Sequence, residues 1–164
     1  DIIIKNLSLS KHLDSVSSKM DFVQNLVLLL QDFKLDNVNS ELRNLKVDND
    51  NVSKVISLIH AIQKLRADSS SSEVLKVGEV LTKNNAIDLV SVIYLALPNV
   101  RSKIESESEF GKSPTIYFDG DKLMTMFNIK PGREVGQFIN LQRELWFNNT
   151  SISKEEVQNE LERR

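Results

Sequence analysis

The sequence predicts an all-α protein. Three observations predict it. Apolar residues recur mostly at intervals of three and four, only 5 glycines and 3 prolines interrupt the 164 residues, and Ser or Asp residues stand directly before several of the apolar runs, where their side chains can cap exposed amides. A hydrophobic content of 40% supplies a core, and the length suits one ordinary domain or two small helical ones.

The first helical stripe follows Ser10, a candidate cap, and runs through Leu13, Val16, Met20, Val23, Leu26, Val27, Leu30 and Phe33. A short helical stretch at residues 40–45 leads to DNDN, after which Val52, Val55, Ile56, Ile59, Ile62 and Leu65 mark the next helix, with Asp50 as its candidate cap. The serine run at residues 69–72 reads as a loop, and Ser72 and Glu73 open a helix through Val74, Leu75, Val77, Val80 and Leu81. Residues 86–100, AIDLVSVIYLALPNV, are apolar on nearly every side. That pattern predicts a helix buried among others at the centre of the helical body, ended by Pro98.

From Arg101 the chain turns charged and serine-rich, RSKIESESEFGKSPT, which predicts a short helix fading into a linker. The shift divides the chain into a helical body over residues 1–108 and a tail subdomain over residues 109–164. In the tail, YFDGDKLMTMF leads into a glycine-containing turn and a helix reaching about Trp146. Ser153 and Glu156 then have the spacing of a capping box, which predicts a terminal helix through Val157 and Leu161.

A net charge of -2 and a pI near 5.8 argue against wholesale attraction to nucleic acid or an anionic membrane, so a polyanion has to be met by geometry and a local patch. The absence of cysteine excludes disulfides, thiolate metal sites and a cysteine nucleophile; an intracellular origin fits, with cytoplasm, nucleus and mitochondrion all open. The longest apolar run, residues 26–30, is too short to span a bilayer, so no membrane partner is expected. The start at Asp1, without a secretory signal pattern, is the expectation for an internal boundary in a longer chain.

Asp119 and Asp121 sit two apart, as a metal-binding carboxylate pair on a strand would. Asp119 also stands immediately before a helical pattern, and capping is the reading the surrounding residues favour. Gly111-Lys112-Ser113 resembles the end of a phosphate loop, but Ser106 stands where that loop needs its first glycine. His12 and His60 lie in separate helices with no carboxylate or serine constellation around them, so no catalytic residue and no metal site is assigned. The turn Lys130-Pro131-Gly132-Arg133 differs, because a loop feeding a helix aims uncapped amides and the positive dipole end outward. Lys130, Gly132, Arg133 and, one turn on, Gln137 are therefore the candidate phosphate contacts. Gly136 reads as a packing glycine that lets the preceding helix approach.

Residues 118–161, FDGDKLMTMFNIKPGREVGQFINLQRELWFNNTSISKEEVQNEL, resemble the C-terminal tail of class II tRNA nucleotidyltransferases, the CCA-adding enzymes, and of the related bacterial poly(A) polymerases. Gly120, Leu123, Ile129, Pro131, Gly132, Glu134, Val135, Gly136, Leu141 and the Ser153-Lys154-Glu155-Glu156 cap carry the pattern, and Trp146 is similar to the eukaryotic branch. Asp121-Lys122 departs from it, since the family places a basic or polar residue before the aspartate. The resemblance implies the body and tail of an enzyme that adds C, C and A to tRNA 3′ ends from CTP and ATP. Its Mg²⁺ and nucleotides would belong to a catalytic head that this chain lacks, so the chain alone would be inactive. It implies a grip on the acceptor stem and T-loop region of tRNA, largely by backbone and shape. A helix-hairpin-helix DNA-binding module and a helical adaptor without a nucleic-acid role stand as the alternatives.

Overall fold

The computed structural model describes residues 22–163, and all regular structure among them is helical. Helices α1 (Phe22–Leu30), α2 (Leu35–Asn44), α3 (Asn49–Ala67) and α4 (Ser71–Lys83) are followed by a 3-10 turn at Ile87–Leu89, α5 (Ser91–Ala96), a second 3-10 turn at Pro98–Val100 and α6 (Arg101–Ser106). Helices α7 (Gly120–Phe127), α8 (Arg133–Asn148) and α9 (Lys154–Glu162) come after them. The chain divides into two compact units, the first ending at Gly111 and the second starting at Lys112. The stripe positions Leu13, Val16 and Met20, the Ser10 cap and His12 lie outside the described residues.

In the N-terminal unit α3 is the hub, packing against α1, α2, α4 and α5. It buries Val52, Val55, Ser57, Leu58, Ile59, Ala61, Ile62 and Leu65, which cover most of its circumference. The centre of the body is thus α3 and not residues 86–100. That second segment breaks into turn, short helix and turn. Asn85 takes the left-handed conformation at φ 52, and Leu97 is driven to an extended backbone (φ -137, ψ 74) by the proline that follows it. Val92 and Ile93 are buried, while Leu95 is 56% exposed, so α5 is a surface helix with one core face.

Helix boundaries follow their caps. Asp48, not Asp50, begins α3: its Oδ1 accepts from the Asn51 amide at 2.9 Å, while Asp50 in the first turn pairs with Lys54 at 2.6 Å. Ser70 rather than Ser72 caps α4, accepting from the Glu73 amide at 3.3 Å. Helix α2 starts at Leu35, earlier than the expected 40, because Val38 and Leu42 find core on that turn. Helix α1 ends at Leu30, before Phe33, and α3 closes it: Gln63 Nε2 donates to the carbonyls of Gln31 (3.0 Å) and Phe33 (2.9 Å).

The C-terminal unit is built around the buried side of α8. Gln142, 1% exposed, accepts at Oε1 from the amides of Tyr117 (3.1 Å) and Phe118 (3.0 Å) and donates from Nε2 to the Phe118 carbonyl at 2.8 Å. Three backbone groups of an irregular segment are thereby paired by one side chain. Phe118 then enters a core with Leu123, Ile152, Val157 and Leu161. Tyr117 Oη donates to the Ile152 carbonyl at 2.9 Å, tying the same segment to the turn before α9. Asp119 Oδ1 accepts from the Lys122 amide at 2.9 Å and caps α7, and Ser153 with Glu156 forms a complete capping box on α9.

Gln142→Leu keeps the volume but strips partners from the buried amide and carbonyl of Phe118, at about 1–3 kcal/mol each, and from the part-buried Tyr117 amide. A loss on the order of 3 kcal/mol is expected in denaturant unfolding followed by the fluorescence of Trp146, the sole tryptophan, buried on α8; no loss would show those groups to be satisfied by water. Asp48 is held below the usual carboxylate range by the Asn51 backbone amide, and Glu156 by the Ser153 amide and hydroxyl. Both pKa values are depressed on folding, so their contributions are complete above the unfolded value and fade as pH falls through the folded one. Asp48→Asn retains a capping oxygen without a titrating group, so its stability should depend less steeply on pH in acid than that of the wild type.

Candidate nucleic-acid interface

The four candidate contacts lie on one hairpin of helices. Helix α7 ends where Asn128 turns left-handed (φ 50, ψ 43), a conformation Asn tolerates better than most residues. The amides of Asn128 and Ile129 both bond to the Met124 carbonyl and close the helix. Half-buried Ile129 turns inward, and Lys130, Pro131 and Gly132 follow, all exposed. Phe127 stacks on Phe138 with ring centroids 4.6 Å apart, which fixes the end of α7 against α8.

Gly132 is the residue before α8, at φ 152 and ψ -151, a region essentially restricted to glycine. It brings no side chain to cap the helix, so the first-turn amides of α8 are left to solvent or to an external acceptor. Arg133 and Gln137 are one turn apart and share a face with Gly136 and Asn140, and all four are exposed. Asn140 was missed by the sequence reading; its spacing of seven from Arg133 is the signal that would have found it. Glu134 adds an acidic side chain to the first turn, and exposed Glu144 ends the uncharged run along the face. Neither Lys130 nor Arg133 enters an ion pair among the described residues.

Gly136 corrects an expectation. A Cβ placed on it meets nothing within 4 Å, so it does not bring two helices together. At Gly120 the two helices are in ordinary van der Waals contact, an added Cβ there standing 3.4 Å from Val135 Cγ1. Gly132 likewise has nothing within 4 Å of its Cβ position. Gly132 before the helix and Gly136 inside it therefore both face outward.

The two carboxylates two residues apart do not stand on a strand. Asp119 spends its carboxylate on the α7 cap, and Asp121 sits in the first turn of that helix rather than beside it on a strand. Among the described residues no group of three or more His, Cys, Asp or Glu side chains is placed to hold a metal ion. His60 is a half-buried residue of α3. Among the same residues, no helix is long and apolar enough to cross a membrane.

The two glycines should respond oppositely to alanine. Gly136→Ala, in open space inside a helix, is expected to raise stability by about 0.5–1 kcal/mol. Gly132→Ala forces a side chain into a glycine-only conformation and should cost about 1–3 kcal/mol. Paired denaturant curves read both, and a destabilised Gly136→Ala would mean that the position is crowded after all.

Comparison with protein-family models, with curated proteins and with solved structures returned no match for this chain.

Proposed function

We propose that this chain holds structured RNA, and specifically tRNA, with the start of α8 seated against the phosphate backbone. One observation carries the reading. Two glycines a helical turn apart, Gly132 and Gly136, are exposed and have open space where a side chain would stand, beside exposed Lys130 and Arg133. A glycine inside a helix costs stability, and nothing within the hairpin explains this one. A partner that brings its own backbone close to the helix does explain it. Uncapped amides with flanking cations suit a phosphate, and Gln137 and Asn140 suit sugar or phosphate oxygens along the same face.

The resemblance of residues 118–161 to the tail of CCA-adding enzymes supports tRNA as the particular RNA. On this reading the chain positions tRNA, while nucleotide addition from CTP and ATP with Mg²⁺ is performed by residues outside it. A contact made by shape and backbone suits an A-form helix, whose deep groove side chains cannot read. The literal helix–turn–helix geometry of α7 and α8 is also how hairpin modules offer amides to DNA, so duplex DNA is the second candidate ligand.

Titration with intact tRNA at several salt concentrations tests the proposal. Lys130→Ala with Arg133→Ala is expected to weaken binding and to reduce the slope of log affinity against log salt by between about 1 and 2. Gly136→Leu should weaken binding without a loss of stability, because it blocks approach from outside. Unchanged affinity and slope in the double variant would remove these residues as phosphate contacts. Equal competition by duplex DNA would favour the DNA reading, and absence of saturable binding at low salt would leave the adaptor role.

A further inference from the structure

No further inference is drawn: the strongest candidate, the apolar surface of the N-terminal unit that Phe22 on α1 and Leu95 on the neighbouring α5 leave exposed, carries nothing because nothing in the structure shows what covers it.

Discussion

Backbone groups that lie between helices have no ladder to pair with, and in each unit of this protein a glutamine supplies the missing partners. The stronger case is Gln142, whose buried amide satisfies two N–H groups and one carbonyl at Tyr117 and Phe118. Everything downstream in that unit depends on it. Fixing Phe118 places Asp119 at the start of α7, the cap starts the helix, and the Phe127–Phe138 stack returns the chain to α8. Helix α8 thus organises the unit with its inner face while Arg133, Gly136, Gln137 and Asn140 occupy the outer one. In the N-terminal unit Gln63 does similar work, and the Arg66–Asp32 ion pair at 2.8 Å fastens the same corner from the exposed side.

The helical class was legible because period and caps agreed, and the caps show where legibility stops. Ser153 and Asp119 were read correctly because Ser153 has Glu156 at the capping-box spacing and Asp119 stands directly before the apolar period of its helix. In DNDN and in the serine run, neighbouring residues have the same capping chemistry, so local preference could not choose between Asp48 and Asp50 or between Ser70 and Ser72. The choice is made by which turn brings Val52 or Val74 into the core. Helix α3 hid its central role for a related reason: burial on many sides spreads apolar residues around the helix and dilutes the one-sided period that marks a surface helix. Residues 86–100 were apolar enough to suggest such a centre, yet Asn85 and the Leu97-Pro98 pair impose backbone conformations that a continuous helix cannot contain.

Glycine was the hardest residue to read. Its identity says that something needs a small residue or an unusual φ, but not on which side the neighbour stands. Gly78 sits inside a periodic helical run and carries no sequence mark of its role, although it is the tightest backbone approach among the glycines. Gly136 sat in a spacing suggestive of helix packing and packs against nothing. The candidate contacts Lys130, Gly132, Arg133 and Gln137 were nameable because a Pro-Gly turn before an amphipathic helix is a local pattern. Asn140 was not, because its membership of that surface comes only from the helix carrying it back to the same face.

Two concessions in stability therefore meet on one outward surface. Gly132 leaves a helix start uncapped, and Gly136 puts the weakest ordinary helix former one turn inside it. Elsewhere the same unit caps its helices fully, with Asp119 on α7 and a capping box on α9, so the composition of the chain offers capping residues that this helix does not use. Local choices that run against stability at one place, amid consistent choices around it, are the expected mark of a contact surface. Glu134 at its start and Glu144 at its far end confine that surface to a short stretch. On the proposed reading, attraction there comes from the dipole end, two cations and close backbone approach, in a chain whose net charge is -2. A phosphate contact proposed for such a surface would work by shape at short range and not by gathering polyanions at a distance.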